Sequence, residues 1–135
     1  MPALEYNPPD VSPRLVFACS GASDVGEIAD RAARKLWCEG VGRMFCLAGI
    51  AGRVKGILKA THSASHVVVI DGCPVDCGRK TLELAGFSGF GHVRVTDLGA
   101  EKGKAPVEEG IVSRVAEQAR ATLHEAGGPQ LGFPL

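Results

Sequence analysis

In the stretch Val67 to Lys80, VVVIDGCPVDCGRK, four consecutive β-branched residues lead through Asp71 and Gly72 to two cysteines, Cys73 and Cys77. Pro74 suits the first position of a helix, which makes Cys73 the expected N-cap. Free backbone N–H groups and the helix dipole favour a thiolate there. Cys77 then falls one turn above Cys73, and residues at i and i+4 share a helix face, so both sulfurs reach one ion. Whether further thiols join them depends on the elements that carry Cys19 and Cys46.

RLVFACSG is a short apolar run ending in glycine, the pattern of a fully buried strand. Asp24 with Glu27 three residues later forms a capping-box-like helix start. Val25, Ile28, Ala29, Ala32 and Leu36 fall on one helical stripe, which Gly40 stops. RMFCLAGI reads as a second strand, and Val54, Ile57, Leu58 and Thr61 mark a short, glycine-weakened helix behind it. HVVVIDG is the third strand, with Val75, Gly78, Leu82 and Ala85 continuing one face of the next helix as far as Gly86. HVRVTDLG is the fourth strand. Val107, Ile111, Val115, Ala119 and Leu123, with Val112 beside them, define a final amphipathic helix.

Strand and helix alternate four times, which predicts a single α/β domain with a mostly parallel, about four-stranded sheet flanked by helices, Rossmann-like or flavodoxin-like in class. In such a sheet every strand ends at the same edge, where ligand crevices form. Cys19 ends the first strand, Cys46 lies in or near the end of the second, and Cys73 and Cys77 follow the third. Four thiols therefore converge on one edge despite irregular spacing, and four thiolates select zinc or an iron–sulfur cluster. His66 and His92 stand at strand beginnings, the opposite edge. His62 precedes that far edge, and His124, near the end of the last helix, reads as a solvated surface residue.

The remaining cysteine, Cys38 in LWCEG on the first helix, reads as a small buried hydrophobe. Ser20, Ser23 and Asp24 occupy a glycine-containing turn before a helix, where amides can hold an anion, although turn and N-cap duty accounts for the same residues. Asp71 and Asp97 each follow a buried strand and either orient a ligand or bond turn amides. Lys102, in a loop after the fourth strand, is positioned to offset thiolate charge or is simply solvated.

Composition narrows the function classes. The 135 residues suit one domain, with 45% hydrophobic and 22% charged residues. Fifteen basic and fifteen acidic residues cancel, leaving no electrostatic footprint for nucleic acid or an anionic membrane surface. One Tyr and one Trp offer little for base stacking. MPALEYNPPD lacks the pattern of a secretory signal, and no apolar run reaches the roughly 18 residues of a membrane span, so a cytoplasmic protein is expected. Five cysteines are odd in number and too few for a secreted disulfide scaffold, which points to metal or thiol chemistry. The expected organisation is a Pro-rich leader over residues 1–13, the α/β domain over 14–126 and a Gly/Pro-rich tail over 127–135, with regular structure confined to the domain.

The segments ACSGASDVGEIADRAARKLWCEGVGRMFCLAGIAG, VVVIDGCPVDCGRKTLELAGF and VTDLGAEKGK together resemble the DGC-domain family of zinc-binding proteins, named for Asp71, Gly72 and Cys73. The resemblance runs from about Leu15 to Lys104. It implies four chelating cysteines, Cys19, Cys46, Cys73 and Cys77, with Zn2+ as cofactor, and it covers Lys102 without giving it a role. It implies no particular reaction. The residues themselves leave a second class open, in which the same cysteines hold an iron–sulfur cluster or Cys73 acts as a low-pKa nucleophile resolved by Cys77. A third class fails on chemistry. CSGASDVG is similar to the Cys-centred phosphate loop of small tyrosine phosphatases, but the arginine that loop needs is replaced by Val25 beside acidic Asp24.

Overall fold

A computed structural model describes residues 13–132. The strands of the main sheet are β1 (Arg14–Ala18), β2 (Arg43–Met44), β3 (His66–Asp71) and β5 (Gly91–Arg94). All pair in parallel, in the order β2-β1-β3-β5. The expected parallel α/β sheet flanked by helices is therefore present, within a single domain. The expected leader over residues 1–13 lies, apart from Pro13, outside the described residues.

Alternation along the strands builds two cores, because successive side chains leave opposite faces of a sheet. Val16, Ala18, Val68 and Ile70 face α1 (Asp24–Cys38) and α5 (Glu109–Glu125). Leu15, Phe17, Val67 and Val69 face the other way, onto α2 (Leu47–Ala51), α3 (Lys55–Ser63) and α4 (Cys77–Leu84). The stripe read on α1 is fully buried at Val25, Ile28, Ala29, Ala32 and Leu36. Glycine ends the helix as expected, Gly40 taking a positive φ of 74°.

Several local boundaries differ from the sequence reading. The α1 cap is Ser23 rather than Asp24, the Ser23 hydroxyl accepting from the Gly26 amide at 3.2 Å. RMFCLAGI forms only a two-residue strand before α2 begins at Leu47, so Cys46 lies just beyond the strand's end, the second of the two expected placements, and caps the next helix. HVRVTDLG is likewise split into β5 and a 3-10 turn over Val95–Leu98. The tail contributes β6 (Gln130–Leu131), which pairs antiparallel with β4 (Phe87–Ser88) where no regular structure was expected. No helix among the described residues is long and apolar enough to cross a membrane.

Candidate metal centre

Cys19 follows β1 and Cys73 follows β3, adjacent strands whose chains leave for opposite faces of the sheet. Such a divergence opens a crevice at the carboxyl edge. The two loops are stitched together: the Cys19 amide donates to the Ile70 carbonyl at 3.0 Å, and the Gly72 amide donates to Cys19 Sγ at 3.4 Å. Burial pushes the Cys19 thiol above its ordinary value, and hydrogen bonds from the Gly21 and Gly72 amides offset part of that rise. Glycine is required at position 72 by contact. A Cβ there would lie 2.8 Å from both the Gly26 nitrogen and the Val25 carbonyl carbon, where α1 starts.

The expected cysteines arrive from four separate places. Cys46 is the exposed N-cap of α2 and Cys77 the exposed first residue of α4, while Cys19 and Cys73 are half-buried. None of the five cysteines forms a disulfide. Two adjoining clefts collect these side chains. One, of 620 Å³, is lined by Cys19, Cys46 and Cys77 with Trp37, Met44 and Phe45. The other, of 480 Å³, is lined by Cys19, Cys73 and Cys77 with Ser23, Asp71 and Lys102. Cys19 and Cys77 thus belong to both, with Cys46 on one side and Cys73 on the other. Cys38, the last residue of α1, lines neither cleft.

The local geometry of CPVDC corrects the sequence reading. Cys73 does not cap the helix and Cys77 does not stack one turn above it. Residues 73–76 form a turn closed by the Asp76 amide on the Cys73 carbonyl at 3.1 Å, with Pro74 at the turn position its fixed φ suits. The helix starts at Cys77, after Asp76 in the left-handed region (φ 56°, ψ 44°). Capping comes from the strand instead: Asp71 Oδ1 accepts from the Gly78 amide at 2.6 Å and Oδ2 from the Arg79 amide at 3.0 Å. The missing side chain of Gly78 permits this approach, since a Cβ would stand 2.9 Å from Asp71 Oδ1.

His92 is also displaced from its expected position at the far edge. β5 enters the sheet late, with Gly91 opposite Val68 and His92 opposite Val69, so the histidine lies beside the carboxyl end of β3. Its Nε2 is 2.9 Å from Asp71 Oδ2 and 3.6 Å from Asp76 Oδ1. Asp71, Asp76 and His92 are the group of metal-donor residues among those described whose ligand atoms all lie within 4.8 Å of one another. The four sulfurs ring the clefts without such a closed trio.

The spacing of that trio suits a cation, but its oxygens are already engaged. Asp71 accepts from Gly78, Arg79 and His92, while Asp76 accepts from Arg94 Nε at 2.9 Å, Arg94 Nη2 at 2.6 Å and Arg79 Nη2 at 2.9 Å. Hydrogen bonding to Arg94 holds the Asp76 carboxyl at about 2, well below the usual range, and two guanidiniums already balance the two buried carboxylates. The signals for this network were modest: an aspartate just before a helix, and His92 and Arg94 sharing one face of β5 on either side of inward-facing Val93.

The other polar candidates divide by duty. Ser20 donates to Asp30 Oδ1 at 2.8 Å, and Ser23 caps α1. Asp24 accepts from the Gly103 and Ala105 amides, both at 3.0 Å, and so pins the loop bearing Lys102 to the start of α1. That loop brings Lys102 Nζ to 3.6 Å from Cys73 Sγ. Asp97 is exposed and pairs with Arg94 at 3.2 Å. His66 Nδ1 lies 3.1 Å from Ser65 Oγ at the far edge, and His124 is exposed.

The donor set suits zinc chemically: unbridged thiols, one supported by an amide and one by a cation. The chain is 32% identical over 99 residues to the anaerobic and virulence modulator AnvM of Pseudomonas aeruginosa, covering 73% of this chain and 75% of that protein. No solved structure gives a significant match. The DGC domain model matches residues 15–119, from β1 into α5, and on that span the chain belongs to the DGC-domain family.

Proposed function

We propose that the protein is a zinc-binding modulator that holds the ion through Cys19, Cys46, Cys73 and Cys77 at the carboxyl edge of its sheet. The observation carrying this reading is that Cys19 and Cys77 are shared by two adjoining clefts whose remaining thiols are Cys46 and Cys73. Bound zinc would supply a fixed positive charge and Lewis acidity there. The chain's own residues do the rest. The Gly72 amide supports the Cys19 sulfur, and Lys102 offsets negative charge accumulating at Cys73. In this reading the protein works in the cytoplasm, where thiols stay reduced, with neither nucleic acid nor membrane as partner.

The name of the Pseudomonas aeruginosa relative, an anaerobic and virulence modulator, supports a second reading. The same cysteines would then hold an oxygen-sensitive iron–sulfur cluster or undergo thiol oxidation. Purification without air, followed by measurement of zinc, iron and labile sulfide, separates the two. About one zinc per chain with little iron is expected under the first reading. A brown protein with stoichiometric iron and sulfide would replace it with the second.

A further inference from the structure

We propose that Arg94 is the positioning residue of the cysteine site, setting where Cys77 stands relative to Cys73 by clamping Asp76. This inference rests on the reading that those cysteines ligate a metal.

Asp76 is one of three non-glycine residues with positive φ among those described, and its side chain is only 3% exposed despite its charge. Aspartate tolerates the left-handed conformation better than most L-residues, but a carboxylate buried beside that turn is costly unless it is paired. Arg94 supplies the partner from the sheet. Its Nε and Nη2 meet the two oxygens of Asp76 at 2.9 and 2.6 Å, a paired geometry that the planar guanidinium presents rigidly and an ammonium cannot.

The place of this clamp in the chain gives it leverage. On one side, the Asp76 amide closes the turn onto the Cys73 carbonyl; on the other, the next residue is Cys77, the start of α4. Arg79 also bonds Asp76, but it belongs to α4 and moves with that helix, so it cannot orient the helix against the sheet. Arg94 belongs to β5, paired directly across from Asp71. With Asp71 holding the Gly78 and Arg79 amides, the two side chains fix the turn between the cysteines from the strands beneath it. Neither Arg94 nor Asp76 needs to touch a metal to control its affinity.

The test is cobalt(II) titration of the reduced protein, wild type against Arg94→Lys and Asp76→Gly. Arg94→Lys keeps the charge and loses the paired geometry. Asp76→Gly loses the clamp while accommodating the left-handed backbone. Both variants should retain wild-type far-ultraviolet dichroism, bind cobalt at least about tenfold more weakly, the scale of losing a partner that orients a ligand, and shift the cobalt d–d bands. Wild-type affinity and band positions in both variants would overturn the inference. If wild-type protein takes up no cobalt, the metal reading itself fails. Iodoacetamide labelling of the metal-free proteins, read by mass spectrometry, then decides: a changed Cys77-to-Cys73 rate ratio in both variants supports the clamp, and an unchanged ratio overturns it.

Discussion

The backbone N–H of Gly72 donates to the sulfur of Cys19 across 3.4 Å, tying the end of β1 to the motif that follows β3. The contact exists because α1 starts directly against Gly72, with no room for a side chain between them. Gly72→Ala would push the two backbones apart, since the nearest atoms are main chain and cannot swing away. A stability loss of about 1–3 kcal/mol is expected, the usual cost of forcing atoms into a filled interior. Denaturant unfolding of the metal-free protein measures it, and an unchanged midpoint would show that α1 yields freely.

The cysteines should separate into four and one. Cys38→Ser is expected to leave metal content unchanged, because Cys38 lines neither cleft. Serine at Cys19, Cys46, Cys73 or Cys77 should weaken zinc binding by more than the roughly 10–100-fold caused by removing a ligand's hydrogen-bond partner. Competition with a chromophoric chelator reads both. Equal loss from the Cys38 variant would move the site elsewhere.

Lys102 lies 3.6 Å from the Cys73 sulfur on an exposed loop, so its contribution is that of a screened charge. Lys102→Gln should lower zinc affinity by up to about fivefold, matching the ~1 kcal/mol upper range of exposed ion pairs. The difference from wild type should shrink as salt rises. Unfolding of the metal-free protein should be unaffected. Identical affinities at low salt would remove Lys102 from the site.

Acid should release the Lys102 loop. The Gly103 and Ala105 amides hold the Asp24 carboxyl below its ordinary value. A carboxyl depressed by folding contributes stability above its unfolded pKa and loses it as pH falls through the folded-state pKa. Hydrogen-exchange protection at Gly103 and Ala105, corrected for the intrinsic exchange rate, should therefore fall on acidification below the usual carboxylate range. Asp24→Asn should remove that titration. A pH-independent loop in wild-type protein would contradict the latch.

Metal removal should leave a folded protein. The core on each sheet face is built from apolar side chains buried by helices, and neither depends on a thiolate. Chelator treatment under reducing conditions should preserve far-ultraviolet dichroism and a cooperative transition. Loss of both would make the ion part of the fold, as in small zinc modules whose folding free energy is largely metal-binding free energy.

The elements whose burial repeats along the chain are legible in residue order alone. The α1 stripe, the apolar runs of β1 and β3 and the spacing of α5 each report a face turned inward, and strand–helix alternation brought Cys19, Cys73 and Cys77 to one edge. What surrounds these cysteines depends instead on contacts between distant segments. Arg94 meets Asp76 across 18 residues, His92 meets Asp71 across 21, and Asp24 meets Gly103 across 79. None of these separations leaves a local period. The late entry of β5 is a register, which alternation cannot reveal because both faces of the strand keep their pattern. The start of α4 at Cys77 likewise followed no local rule. Proline signalled the first turn three residues earlier, but Asp71 captured the Gly78 and Arg79 amides and Arg94 held Asp76, so contacts from neighbouring strands overrode the local helix-start signal.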